Sequence, residues 1–261
     1  MSNIEDYKRV PKKAAFGWVG GKSKLANKII ATFPQHDCYC EVFGGGLNIF
    51  FRKERSKNEI VNDINSELIN LYRVIQKYPQ TLSLYLNDML ISREIFEDIR
   101  YKRLLPRNKI QEAAYFYYKT TQSFGSKGHH FAMPKGDRAP KNIYHGFKVW
   151  SDRLKGVCIE NMDFERLIKE YDRPSTLFYL DPPYIGTESY YDTPNGFNIK
   201  SHELLASSLK SIRGKFILSY NDCEVVRKLY DGFSISETTT SYTLNNNSRN
   251  NEAKELIISN F

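Results

Sequence analysis

The chain has 261 residues, 41% of them hydrophobic and 14% aromatic, enough to fill the core of one large domain or of one domain carrying an insertion. No apolar run approaches the roughly 20 residues of a membrane helix, and the start, MSNIEDYKRVPKK, lacks the apolar stretch of a secretory signal, so a cytoplasmic protein with no membrane partner is expected. The net charge of +8 is concentrated: residues 100–155 hold thirteen Lys/Arg against Glu112, Asp137 and Asp152, and the remainder of the chain is slightly acidic, which points to a phosphate-facing central segment. The cysteines Cys38, Cys40, Cys158 and Cys223 lack zinc-ligand spacing, and Cys38 and Cys40, in an apolar strand-like run, read as buried thiols, so no metal site is expected.

Taken in chain order, the first motif is Phe16-Gly17-Trp18-Val19-Gly20-Gly21-Lys22-Ser23. Gly-Lys-Ser invites a phosphate-loop reading, but that motif needs a glycine where Phe16 stands. Trp18 and Lys22 better suit a ligand with an aromatic ring and a carboxylate, as a methionine-derived cofactor has. Helical periodicity is expected over Lys24–Phe33, and a strand over Cys38–Phe43. That strand runs into Glu41-Val42-Phe43-Gly44-Gly45-Gly46, a glycine-rich turn that lets a ligand approach the backbone and opens a helix over Leu47–Lys53. The next strand, Glu59–Asn62, ends at Asp63, an acid placed to accept from ribose hydroxyls or to cap a helix.

A helix is expected over Ser66–Ile75, after which the strand–helix alternation breaks until about Trp150. This stretch reads as helices, including Arg93–Arg103 and Ile110–Thr121, followed by a Gly/Lys/His/Pro-rich loop over Ser123–Asn142. Strands resume at Val157–Glu160, Thr176–Leu180, Lys215–Tyr220, Phe233–Ser236 and Glu255–Asn260, with a helix over His202–Ile212. The pattern implies an α/β fold with a mainly parallel sheet. The catalytic domain is expected over 1–75 and 151–261, interrupted by a basic, largely helical insertion at 76–150.

The strongest signal follows the strand at Thr176–Leu180: Asp181-Pro182-Pro183-Tyr184. In a parallel sheet, ligands bind beyond the carboxyl ends of the strands. Two prolines stiffen the turn, and the Asp181 carboxylate and Pro182 carbonyl are presented as acceptors. An amino group on an aromatic base is a poor nucleophile because its lone pair is delocalised. Acceptors that hold both N–H bonds draw the nitrogen towards a tetrahedral geometry, with Tyr184 stacking on the base. Asp163-Phe164, just after the strand at Val157–Glu160, suits an adenine ring, or Asp163 caps a helix.

With these motifs assembled, the chain resembles the Dam-like, D12-class DNA adenine-N6 methyltransferases along nearly its whole length. GWVGGKSKL at 17–25, EVFGGGLNIFF at 41–51, VNDIN at 61–65, DPPY at 181–184, KFILSYND at 215–222 and AKELIISNF at 253–261 are similar to family segments, in the alpha motif order. The resemblance implies a Rossmann-like sheet with a late antiparallel strand and S-adenosylmethionine as donor. It places Trp18, Lys22, Asp63 and Asp181 at the cofactor, to which the reading above adds Phe43, Gly44, Gly45, Gly46, Asp163 and Phe164. It also implies that the insertion reads double-stranded DNA and that the target adenine is flipped out of the helix. The family's Arg-x-Asn element is absent from residues 122–131, which puts GATC specificity in doubt. Lys127, Lys135 and Lys141 are expected at phosphates, and Arg138, Gln122 and Ser123 as further DNA contacts, with Arg138 and Gln122 the candidate base readers. Adenine in RNA, cytosine N4 and an inactive DNA-binding homologue stay as alternatives. The recognition site, the oligomeric state and the existence of a cognate restriction nuclease stay open.

Overall fold

The computed structural model describes residues 11, 13–132, 146–188, 196–241 and 252–261. Lys135, Arg138 and Lys141 lie outside the described residues. The chain forms two compact units, one of residues 1–21, 45–53 and 66–156, the other of residues 22–44, 54–65 and 157–261.

In chain order the elements are α1 (Ala26–Ala31), β1 (Cys38–Glu41), β2 (Asn58–Asn62), α2 (Ser66–Lys77), α3 (Pro79–Asn87), α4 (Arg93–Arg100), α5 (Lys109–Thr121), α6 (Lys148–Leu154), β3 (Cys158–Glu160), α7 (Phe164–Tyr171), β4 (Thr176–Leu180), α8 (Ile199–Lys210), β5 (Lys215–Asn221), α9 (Glu224–Leu229), β6 (Ser234–Ser241) and β7 (Glu252–Ser259). No helix among the described residues is long and apolar enough to cross a membrane.

The second unit carries a seven-stranded sheet in the order β3-β2-β1-β4-β5-β7-β6. Strands β1 to β5 pair in parallel, whereas β7 runs antiparallel to both β5 and β6. This is the Rossmann-like sheet with a late antiparallel strand that the family resemblance implies. The central strand β4 is buried along its whole length, which is why Thr-Leu-Phe-Tyr-Leu shows no polar alternation. Its Phe178 lies in register with Cys40 on one side and Phe216 on the other. Leu205 and Leu209 of α8 and Leu167 and Ile168 of α7 complete the apolar core with these residues. The edge strand β6 is polar (Ser-Ile-Ser-Glu-Thr-Thr-Thr-Ser), the composition that keeps an exposed sheet edge from pairing with another chain.

The first unit is helical. Its centre is α5, which buries the run 113–118 and packs against α2, α3 and α4. Asn108 starts α5 by accepting from Ile110 and Gln111 N–H, and Ser92 starts α4 by accepting from Ile95 N–H. The Tyr118 hydroxyl accepts from Ser92 N–H at 2.9 Å and donates to Leu90 O at 3.0 Å, fastening the α3–α4 turn to α5. The unit's third segment begins at Ser66 with α2, whose apolar face (Leu68, Ile69, Leu71, Tyr72, Val74, Ile75) meets α5, α3 and α6.

Two further differences have local causes. The helix expected over Leu47–Lys53 is a run of turns, since Leu47 takes a left-handed φ of 52°. Helices α6 and α9 were not expected; at seven and six residues they are too short to display a clear 3.6-residue period.

One close approach in the sheet unit demands a glycine. A Cβ on Gly214 would stand 2.8 Å from Thr176 O and 3.0 Å from Arg173 O. The Asp172 carboxylate holds the backbone there by accepting from Arg213 N–H and Gly214 N–H. Gly214→Ala should therefore destabilise the protein by about 1–3 kcal/mol through overpacking against backbone. Urea unfolding checks this, and an unchanged midpoint would show that the entry to β5 relaxes freely.

Candidate active site at the carboxyl ends of the strands

In the sheet unit, β1 pairs with β2 on one side and β4 on the other, so successive crossovers run in opposite directions from this point. Ligands of open parallel sheets bind in the crevice beyond the strand ends at such a reversal. Phe43-Gly44 follows β1, Asp63 follows β2, Asp163 follows β3 and Asp181–Tyr184 follows β4. The topology thus brings these motifs to one edge of the sheet.

Asp181 forms an ion pair with Lys22, whose Nζ lies 2.8 Å from Oδ1 and 2.9 Å from Oδ2. The Ser219 hydroxyl donates to Oδ1 at 3.1 Å. Burial pushes the Asp181 carboxyl above the usual carboxylate range, and Lys22, Ser219 and Tyr184 pull the other way. The ammonium of Lys22, 6% exposed, also lies 4.7 Å from the centre of the Tyr184 ring. Tyr184 stacks on Tyr220 with ring centres 5.7 Å apart, and its hydroxyl donates to the buried Glu255 carboxylate at 3.1 Å. Pro182 and Pro183 are buried, and Thr187 closes the turn by donating its N–H to Tyr184 O. The arrangement presents a half-buried carboxylate and an aromatic face on a backbone with little freedom.

Lys22 was read as a partner for a ligand carboxylate, and the structure pairs it with Asp181, 159 residues away. Asp63 is half-exposed; its Oδ1 accepts from Asn65 N–H at 2.9 Å and its carbonyl from Asn161 Nδ2 at 2.8 Å. Asp163 is exposed and caps α7 by accepting from Glu165 N–H, the capping role weighed for it above. Phe164 is buried, 5.8 Å from Phe43 and 6.0 Å from Phe197 between ring centres.

Sequence reasoning missed Asn62. Its buried amide donates to Val42 O and Met162 O, each at 3.0 Å, and accepts from Met162 N–H. Gly44 N–H donates to Asn62 O at 2.7 Å. One side chain therefore pins the ends of β1, β2 and β3 together. The signal was an amide at the last position of the strand, directly after the apolar pair Ile60-Val61, where a buried polar group needs partners. Ser219, Tyr220, His202 and Glu255 were missed too, because each sits inside an element that its neighbours made look like plain core.

In the helical unit, Trp18 packs on Phe16 and Phe116. A Cβ on Gly45 would lie 2.8 Å from the Trp18 indole, and one on Gly46 would lie 3.0 Å from Trp18 Cβ. These glycines are thus required by tryptophan packing, besides any ligand. Gln122 and Ser123 are buried. The Ser123 hydroxyl donates to Thr120 O and accepts from Gly128 N–H, so it holds its own loop together rather than facing outward. The Gln122 Nε2 has no hydrogen-bond partner among the described residues. Lys127 is half-exposed on the same loop.

Known proteins resemble the chain over most of its length. A type II methyltransferase of Lactococcus lactis subsp. cremoris (M1.LlaDCHI) is 29% identical, with 94% of each chain covered. One of Paramecium bursaria Chlorella virus NC1A (M.CviBI) is 25% identical over 86% of this chain and 89% of its own. A DNA adenine methylase of Haemophilus influenzae is 23% identical over 92% of this chain and 91% of its own. Residues 18–244 match the model of one family. With DPPY at the end of β4 and the glycine-rich turn after β1, the chain belongs to the D12 class N6 adenine-specific DNA methyltransferases.

Proposed function

We propose that the chain transfers a methyl group from S-adenosylmethionine to N6 of adenine in a specific site of duplex DNA, after the base is flipped out. The observation that carries this reading is the Asp181 carboxylate at the β1/β4 reversal, oriented by Lys22 and Ser219 and adjoined by Tyr184. The sheet edge suits the cofactor's chemistry: a half-exposed carboxylate at Asp63, after β2, for hydroxyls, and the Phe43 ring, after β1, for a flat base. When bound, S-adenosylmethionine supplies a methyl group on a sulfonium, an electrophile that needs no activation by the protein.

The chain's own residues then act by position and charge. Ionised Asp181 accepts from the adenine amino group, and the Pro182 carbonyl provides the second acceptor. The nitrogen lone pair is thereby withdrawn from the ring and directed at the methyl carbon. Tyr184 offers its face to the flipped base, and extrusion from the stack is what access to N6 requires. Once the methyl group is transferred, the amino nitrogen carries an extra proton, and the Asp181 carboxylate is positioned to take it. The basic segment 100–155 would hold the DNA backbone. Lys127 is its described member on the recognition loop, with Lys135, Arg138 and Lys141 proposed alongside it. Two relatives are named type II methyltransferases, which supports a similar setting for this chain; a cognate nuclease and a cytoplasmic location are part of the proposal.

Asp181→Ala should lower methyl transfer by about 10²–10³-fold, measured as N6-methyladenine formed in unmethylated genomic DNA with labelled cofactor. Near-normal turnover would remove Asp181 from the chemistry.

The pH profile tests the ion pair. Transfer needs Asp181 ionised, and burial raises its pKa, so activity should fall on acidification above the ordinary carboxylate range. Lys22→Met removes the largest opposing influence and should move this acid limb to higher pH. The same variant should lose stability relative to the native protein as pH rises, because a carboxyl with a raised folded-state pKa favours the fold only while protonated. An unmoved limb would show that another group sets it.

Asp63→Ala should weaken S-adenosylmethionine binding by about 1.5–3 kcal/mol in calorimetry. Unchanged affinity with a lower thermal midpoint would leave Asp63 a structural role alone. Lys127→Ala should weaken binding to all DNA sequences alike and reduce the salt slope by about one unit. A loss confined to one sequence would make it a base contact.

A further inference from the structure

The Tyr184 ring rests on Tyr220, and behind Tyr220 lies a buried polar pair that the proposed chemistry does not use. The Tyr220 hydroxyl is hydrogen-bonded to Nδ1 of His202, which is wholly buried. His202 Nε2 faces Glu188 Oε1 at 3.3 Å. On its flank the imidazole meets Phe197 edge-on, with ring centres 4.8 Å apart, and Phe197 in turn packs on Phe43 and Phe164. One buried ring therefore touches both the support of the DPPY tyrosine and the aromatic cluster after β1 and β3.

The hydrogen bonds select one arrangement. Burial lowers the His202 pKa and so favours the neutral imidazole. In that form the Glu188 carboxylate, which can only accept, calls for the proton on Nε2, and Nδ1 is left to accept from the Tyr220 hydroxyl. The bond gives the Tyr220 hydroxyl a defined direction and anchors the end of its ring. A buried histidine used only for packing would need neither partner, and leucine would fill the space at no desolvation cost.

We propose that His202 and Glu188 are positioning residues for the transfer reaction: acting through the Tyr220 hydroxyl, they set the ring on which Tyr184 stacks and hence the seat of the target base. This rests on the function proposed above. Glu188 lies four residues beyond Tyr184 on the same turn, so its link to His202 also ties the end of the DPPY turn to the first turn of α8. A base seat that tilts misplaces the amino nitrogen relative to the methyl group, and small misplacements are costly in a reaction that works by alignment.

The test separates positioning from packing. His202→Phe keeps a ring against Phe197 and removes the acceptor; Tyr220→Phe keeps the stack and removes the donor. Each should lower kcat on unmethylated genomic DNA by about ten- to a hundredfold, with the Kd for S-adenosylmethionine unchanged. His202→Asn retains an acceptor in the position of Nδ1 and should recover much of the rate. Each Phe variant alone leaves one polar group buried without a partner and should lower the thermal midpoint. The double variant removes both groups, so its midpoint should return towards that of the native protein. Its kcat should stay as low as that of the single variants. Recovery of kcat together with stability, or single variants that turn over at the native rate, would overturn the proposal. A native protein that transfers no methyl group to adenine would instead fell the proposed function, and the positioning role with it.

Discussion

A carboxylate taken out of water at the end of β4 is the feature on which the site depends. Burial raises the Asp181 pKa and so works against the ionised acceptor, and Lys22 pulls the other way. The cost of burying Lys22 is offset by the same contact. Breaking such a pair leaves an uncompensated buried charge, worth about 3–5 kcal/mol, so each partner constrains the other. The pair is also directional. Lys22 meets both carboxylate oxygens and the Tyr184 ring, while Ser219 fixes Oδ1 from β5. Three segments of the chain thereby agree on where one acceptor points.

The surroundings of that pair follow from sheet topology. Parallel strands present their carboxyl ends together, and the reversal between β1 and β4 leaves a crevice there. Asn62 keeps three of those ends in register through its buried amide. On the other side of Asp181, β7 inserts antiparallel beside β5 and brings Glu255 to the Tyr184 hydroxyl. The late antiparallel strand is thus part of the site and not only an ornament of the sheet, since a parallel β7 would turn its register around and carry Glu255 away.

The helical unit answers to different demands. Its glycines at 45 and 46 make room for Trp18, and its α5 spends nearly all its side chains on internal packing. The loop after α5 is held by its own bonds: Ser123 to Thr120 and Gly128, and the 122 and 124 backbone to 132 and 130. Phe124 stands 63% exposed on this loop, where a side chain with no internal partner contributes nothing to the fold.

The strands, the DPPY turn at the end of β4, the acidic end of β2 and the basic central segment were determined by the sequence by itself. Each is a local property: apolar runs, turn residues and charge are written within a few consecutive positions. Cap residues belong to the same class, and Asp163 before α7 shows that one local pattern serves two readings until the helix is seen. Only the tertiary structure decided which strands are neighbours, and with them Lys22 against Asp181, Asn62 against Met162, Trp18 against Gly45 and Tyr184 on Tyr220 above His202. It also decided that α2 packs with the helices after it, and that Ser123 faces inward. No local pattern encodes such pairings. They arise when segments remote in the chain bury apolar surface together, and the polar groups caught in that burial must find one another.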